Sequence, residues 1–297
     1  MIFCALVITF NPNILNLKNL IQKLSEQNCE AIIVDNNSEN VAEIFEIKNK
    51  MVSIISLESN FGIAYAQNVG IKEIILRKFQ YVIFFDQDSQ IDKNYIDKMS
   101  YDYLNLSKKE AKIGLLGPKF IDDRYGFYYK TVNMNKFGIR EKIDVSNIDQ
   151  PFHSALLISS GSLVSVDTFT KIGFMRENYF IDYVDTEWCI RAESMGYKNF
   201  ISSSATMVHA IGDNVLQFKY FNVPVHSAFR RYYRVRNAYY MLREPHVPIL
   251  LALREILFNF IHQIFLIVFE DDKKGYIKSY IRGCIDGIFK YEKNNDN

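Results

Sequence analysis

Tyr81-Val82-Ile83-Phe84-Phe85-Asp86-Gln87-Asp88 joins five apolar residues to two carboxylates two positions apart. The apolar part has the length of a buried strand. Strand side chains alternate, so Asp86 and Asp88 leave its carboxyl end on the same side of the backbone. Core packing has no use for two like charges there, because a buried carboxylate is costly unless paired or bound to a cation. A divalent ion that also takes diphosphate oxygens would satisfy both, since hard cations prefer oxygen ligands. The alternative is a strand that has simply ended, with both aspartates facing water in a turn.

Working outward, the first hundred residues alternate strand and helix patterns. Residues 2–9 are apolar, and 13–27 carry Leu17, Leu20, Ile21 and Leu24 at helical spacing. Residues 31–34 and 52–57 read as further strands, 62–76 as a helix and 81–85 as the fourth strand. Such alternation predicts an α/β fold with a parallel sheet and helices on both faces. Ligands of open α/β sheets bind beyond the carboxyl ends of the strands. Thr9-Phe10-Asn11, Asp35-Asn36-Asn37, Asn60-Phe61-Gly62 and Asp86-Gln87-Asp88 each follow a strand, so all four are expected on one edge. Residues 113–135 read as strands and turns, 136–150 as a flexible polar excursion, and 155–166 as strand, tight turn, strand. A helix is expected from near Asp185 to before Gly196. Beyond about residue 225 the chain reads as helical and cationic.

With 297 residues, 48% of them hydrophobic, the chain has enough apolar material for one large α/β domain, or a smaller one with an appendix. A net charge of +1 argues against a dedicated binder of duplex nucleic acid. Cys4, Cys29, Cys189 and Cys284 are scattered without a C-x-x-C pair and read as reduced cytosolic cysteines. The apolar start has no basic n-region and meets Asn11-Pro12 too soon for a signal peptide.

Asp35 reads either as a turn residue or as the acceptor for the N3–H of a uracil or thymine ring. Small residues at 62, 64, 66 and 70 suit close helix–sheet packing or close approach to a nucleotide, with Gln67 or Asn68 as polar contacts. Asp182-Tyr183-Val184-Asp185-Thr186-Glu187-Trp188-Cys189-Ile190-Arg191 reads as an acidic helix N-terminus or as a second chemical centre.

Taken in order, Val7-Ile8-Thr9-Phe10-Asn11, Val34-Asp35-Asn36-Asn37-Ser38, Asn60-x-Gly-x-Ala-x-Ala-x-Asn-x-Gly70 and Asp86-Gln87-Asp88-Ser89 resemble the inverting family 2 glycosyltransferases of the GT-A fold. The Phe-Asp-Gln-Asp-Ser form is most similar to the bacterial dTDP-rhamnosyltransferase branch. The resemblance covers about residues 1–240. It implies a catalytic domain over 1–225, divided near residue 115 into donor and acceptor halves, and a helical C-terminal region over 226–297. It implies donor contacts from Thr9, Asn11, Asp35, Asn37, Asn60, Gly62, Gln67, Asn68, Asp86 and Gln87. Asp88 falls on the ligand of an Mg²⁺ or Mn²⁺ ion, and His209, in the His-x-x-Gly element, would complete its shell or touch the diphosphate. Asp185 falls on the general base, although Val184 replaces the usual Glu before it and Glu187 stands where the family often has Asp. The implied reaction is transfer of L-rhamnose from dTDP-L-rhamnose to a polyprenyl-diphosphate-linked saccharide at the inner face of the cell membrane. Another dTDP- or UDP-sugar is the alternative donor, and an inactive nucleotide-sugar-binding or membrane-associated scaffold the alternative class.

Gly161, Glu187 and the lone tryptophan, Trp188, are expected near the acceptor, Trp188 either as core or as a sugar platform. Arg230 and Arg234 share a helical face and suit a diphosphate, of donor or of acceptor. Residues 249–269 are long enough to span a bilayer, but Arg254, Glu255, Asn259, His262 and Gln263 form a polar stripe. That pattern predicts an in-plane amphipathic helix on a membrane, or a buried or homodimer-forming helix.

Overall fold

The computed structural model describes residues 2–122, 126–135, 137–209, 214–217 and 222–291, with backbone alone at 209, 214–217 and 222–224. Strands β1 (Phe3–Thr9), β2 (Glu30–Asp35), β3 (Val52–Ser56) and β4 (Tyr81–Asp86) run parallel in the order β3-β2-β1-β4. Helices α1 (Ile14–Glu26), α2 (Val41–Phe45) and α3 (Ile63–Leu76) fill the crossovers. The strands read as continuous apolar runs because both faces are covered. Leu6, Val34 and Phe84 belong to the core under α3, and Val7, Ile33 and Phe85 to the core under α1.

The sheet continues through β5 (Gln90–Ile91), helix α4 (Tyr95–Ser107) and β6 (Ile113–Asp122). A hairpin of β7 (Thr131–Met134) and β8 (Arg140–Ile143) and the short β9 (Phe152–His153) follow. Strand β10 (Leu163–Ser165) lies antiparallel between β4 and β6 and leads into helix α5 (Val166–Ile172). Helix α6 (Val184–Ser194) returns the chain to β11 (Lys198–His209), which pairs parallel with β6. The carboxyl ends of β1, β2, β3, β4, β6 and β11 therefore share one edge. A hairpin of β12 (Asn214–Gln217) and β13 (Asn222–Val225) precedes helices α7 (Ala228–Met241), α8 (Ile249–Phe269) and α9 (Lys273–Phe289).

Three expectations need correction. Within 136–150, residues Arg140–Ile143 are not a loose excursion but strand β8, held by Arg140 pairing with Glu255 of α8 at 3.1 Å. In 155–166 the first arm is a single bridge, Leu156 to Val132, because a tight turn begins at Ser159; the second arm is β10. The polar stripe of α8 does not face water. Glu255, Asn259 and Gln263 are buried, and Arg231 of α7 reaches them, bonding Gln263 Oε1 at 3.0 Å and Asn259 Oδ1 at 2.7 Å.

Candidate active site

The four polar clusters meet on the carboxyl edge and are tied together by hydrogen bonds. Thr9 donates its hydroxyl to Asp35 at 3.0 Å, and Asp35 also accepts from the Ser38 hydroxyl and backbone N–H. Asn36 donates to Asn60 at 2.9 Å and accepts from the Phe61 N–H. The Phe10 N–H reaches Gln87 Oε1 at 2.8 Å, joining the β1 and β4 ends. Thr9 and Asp35 are fully buried and offer no solvent-facing atom. They brace the rim from beneath. Asn11, Asn37 and Asp88 are exposed, Asn60, Asp86 and Gln87 half-buried, and the rings of Phe10 and Phe61, the latter packed on Tyr65 at 4.8 Å, are partly exposed at the same rim.

Gly62 and Asn68 are committed to packing. Gly62 has φ of 86°, and a Cβ there would lie 2.5 Å from the Phe180 carbonyl oxygen. Asn68 uses its amide on the Met175 backbone, both ways at 2.9 Å, and on Glu177. Direct contact of Asn68 with a donor is therefore corrected to a structural role. Gln67 is buried and donates to the Ser159 hydroxyl at 3.0 Å.

Asp86 through Ser89 form a turn in which the Ser89 N–H returns to the Asp86 carbonyl at 3.1 Å. The Asp88 carboxylate engages no other described residue. A serine turn beside it joins the two carboxylate segments. Ser160 accepts the Asp86 N–H at 3.2 Å, while the Ser159 N–H and hydroxyl face Asp185 and favour its ionised form. Gly161, φ 75°, closes that turn; its N–H bonds Phe84 O at 2.7 Å, and Tyr95 donates to its carbonyl. Gly161 is buried, so it shapes the turn and does not meet an acceptor. Burial pushes the Asp185 carboxyl up to about 6; the Ser159 hydrogen bonds oppose that rise, and the negative charges of Asp86 and Asp182 add to it. A carboxylate poised there suits general-base work near neutral pH.

Other expectations around α6 are overturned. Glu187 and Trp188 have no exposed surface. Trp188 packs against Phe169 and donates to the Gly173 carbonyl at 2.9 Å, so it is core and not a sugar platform. Glu187 lies in an ion network, 2.9 Å from Arg191 and 2.8 Å from His246. Burial raises its carboxyl, but Arg191 and His246 more than offset this and hold it below the usual range. Glu187, Glu244 and His246 could geometrically hold a metal, yet Arg191 and Arg176 already neutralise the carboxylates. Arg230 and Arg234 are not free for a diphosphate: both bind Asp182, at 3.1 and 3.2 Å. Only the backbone of His209 is described, paired with Asp122 at the end of β11; its side chain lies outside the described residues.

Residues 4–150 match the family model described as Glycosyl transferase family 2. The dTDP-rhamnosyl transferase RfbF of Shigella flexneri is 44% identical over 289 residues, 96% of this chain and 94% of that one. This chain belongs to glycosyl transferase family 2. The glycosyltransferase GlyG of Streptococcus pneumoniae serotype 4 is 25% identical over 173 residues, 54% of this chain and 55% of that one. Among solved structures, GalNAc-T7 with UDP, GalNAc and Mn²⁺ superposes with a TM-score of 0.57 at 12% identity, over 90% of this chain and 57% of that one. Staphylococcus aureus TarS 1–349 gives 0.51 at 15% identity, over 98% and 82%. These likenesses show the GT-A fold, with the helical region beyond it.

Two residues of this transferase escaped the sequence reading. Ser159 sits in a run of serines that looks like any loop. Asn237, buried in α7, donates to the carbonyls of Tyr179, Ile181 and Asp182 at 2.8 to 2.9 Å and so holds the segment entering α6.

Proposed function

We propose that this family 2 transferase moves L-rhamnose from dTDP-L-rhamnose, with inversion, to a lipid-linked saccharide of a surface polysaccharide at the inner face of the membrane. The observation that carries the donor is the 44% identity to a dTDP-rhamnosyl transferase along 96% of the chain. Phe10 and Phe61 at the rim suit stacking on a nucleobase, and Asn11, Asn37 and Asn60 suit hydrogen bonds to base and ribose.

The residues fit a divalent ion, Mg²⁺ or Mn²⁺. Asp88 is an exposed carboxylate that engages no other described residue, and the negative charges of Asp86 and Asp182 both raise the Asp185 carboxyl. Asp88 would hold the ion, with Asp86 beside it and His209 the further candidate. Bound there, the metal supplies Lewis-acid stabilisation to the departing diphosphate. Asp185 takes the proton of the acceptor hydroxyl as that oxygen attacks C1 on the face opposite the diphosphate. Ser159 fixes the carboxylate for that transfer.

A panel of nucleotide sugars with Mn²⁺, read by release of nucleoside diphosphate, tests this. dTDP-L-rhamnose is expected to give the highest turnover. Preference for a UDP-sugar would replace the donor. No turnover, with no nucleotide-dependent rise in melting temperature, would leave an inactive scaffold.

A further inference from the structure

Helices α8 and α9 are inside out. Their uncharged and acidic polar residues Glu255, Asn259, Gln263 and Asp286 face the protein, where Asn259 and Gln263 meet Arg231, and Asp286 accepts from the Tyr232 hydroxyl at 2.7 Å. Their apolar residues face outward. Leu253, Leu257, Ile264 and Val268 on α8 are each about half exposed, at 47, 55, 49 and 58%. Ile277, Ile281, Ile285 and Ile288 form the matching stripe on α9. The side of α9 opposite that stripe carries Gly283 and Gly287, which pack on the Tyr232 and Arg236 carbonyls of α7. Both stripes therefore point away from α7. Together they exceed what scattered surface residues explain.

The charges choose the occupant. The carboxylates within the two helices, Glu255 and Asp286, are buried, and those of the turn between them, Glu270, Asp271 and Asp272, sit at its tip beside Lys273, whereas Lys274, Lys278 and Arg282 are exposed along α9. At helical spacing Lys274, Lys278 and Arg282 follow one flank of the isoleucine stripe. An apolar face rimmed by cations fits the anionic headgroup boundary of a bilayer, with lysine stems lying along the acyl region and ammonium groups among phosphates. A two-fold dimer sets one patch against itself and would bring these cations together. At 21 residues α8 is about 30 Å long, enough to lie flat as an extended contact.

We infer that the outward faces of α8 and α9 form one docking surface for an anionic lipid bilayer. It deepens the proposed function, resting on that reading only for its purpose: delivery of a lipid-linked acceptor. The link to the site is rigid, because Arg230 and Arg234 of α7 hold Asp182, three residues before Asp185.

The test is co-sedimentation of the full chain with phosphatidylcholine vesicles, with and without phosphatidylglycerol, at low and high salt. The protein should pellet with the anionic vesicles and be released in part by salt. Lys274→Gln with Lys278→Gln should weaken partitioning about thirtyfold, and Ile281→Gln with Ile285→Gln about tenfold or more. All four side chains are exposed, so both variants should keep the wild-type melting temperature and turnover on a water-soluble acceptor. A protein that turns over donor yet stays in the supernatant with anionic vesicles overturns the docking surface alone. So does a dimer that Ile281→Gln with Ile285→Gln splits. Vesicle binding without any donor turnover overturns the transferase reading and leaves the surface standing.

Discussion

Ser159 turns its backbone N–H and its hydroxyl toward the carboxylate of Asp185, where both favour the ionised form. Gln67 donates to the same hydroxyl, which leaves the single hydroxyl proton for Asp185. The resulting polar chain runs from Gln67 of α3 through Ser159 to the proposed base on α6. Since burial pushes Asp185 up to about 6, kcat/KM should fall about tenfold per unit below that pH. Ser159→Ala removes one donor to the ionised form and should move this limb upward by about one unit. Asp185→Asn should retain donor affinity while transfer drops about 10²–10⁴-fold. A limb unmoved in Ser159→Ala would detach Ser159 from the base.

The same carboxyl makes a stability prediction of definite sign. Its folded pKa of about 6 lies above the ordinary 3.8, so the folded protein holds the proton more tightly than the unfolded chain. Stability from this group is full below about 3.8 and is lost as pH rises through about 6. Asp185→Asn should therefore raise the melting temperature by a few degrees at pH near 8 and not at pH near 4. Calorimetry at the two pH values checks this; a gain at acid pH alone would reverse the assigned environment.

Asp88 is the exposed carboxylate of the turn after β4, and removal of a surface charge that engages no other described residue leaves the fold intact. Asp88→Ala should keep the wild-type unfolding midpoint and lose the Mn²⁺-dependent part of dTDP binding, about tenfold or more. Titration calorimetry with and without Mn²⁺ separates the two. Equal dTDP affinity in mutant and wild type with Mn²⁺ present would move the metal ligand elsewhere.

How much of this was legible depends on the kind of signal. The parallel half was readable because each strand is buried on both faces, giving an uninterrupted apolar run that a polar cluster ends. Asp86 and Asp88 stand out as charges where packing wants none, whereas Asp185, which also reads as a helix cap, is marked only by the family resemblance. Ser159 and Ser160 did not, since turn serines are common and their partners lie far away in sequence. Asp182 and Arg230 were singled out separately, but only folding brings them together. Periodicity gave the polar stripe of α8 and could not say which stripe faces the protein. Arg231 decided that, by burying its guanidinium against Asn259 and Gln263.

Glu187 has no exposed surface, and Arg191 contacts both its oxygens, at 2.9 and 3.1 Å. Breaking a buried pair from one side strands a charge, at a cost of about 3–5 kcal/mol. Glu187→Gln, which strands the buried Arg191 guanidinium, should show that loss in urea unfolding at neutral pH, and Arg191→Met should show part of it, because His246 and Arg176 still face the carboxylate. Because the Glu187 carboxyl is held below its ordinary 4.5, its contribution is present above that pH and is lost as pH falls through the folded value. The gap between Arg191→Met and wild type should narrow on acidification. A gap of under about 1 kcal/mol at pH 7 would deny the pair its role.

Asn237 makes the most specific mechanical prediction. Phe180, Asp182 and Tyr183 all have left-handed backbone, with φ of 64°, 63° and 62°, immediately before α6. Non-glycine residues held there cost about 1–3 kcal/mol each and persist only where the surroundings over-determine them. Asn237 supplies that constraint from α7, since its one amide group donates to the carbonyls of Tyr179, Ile181 and Asp182. Asn237→Ala should cost about 3 kcal/mol in unfolding, as buried carbonyls lose their donor. Asn237→Asp should do worse, because it turns an acceptor toward three acceptors. Relaxation of the segment also displaces Asp185, so kcat should fall about 10²-fold. Donor affinity should change less than kcat, because the held segment meets the donor rim through Phe180, whose carbonyl accepts from the Ile63 N–H, whereas Asp185 follows it directly on α6. If Asn237→Ala lowered stability while kcat stayed within about twofold, the left-handed segment would be scaffolding and not the mount of the base.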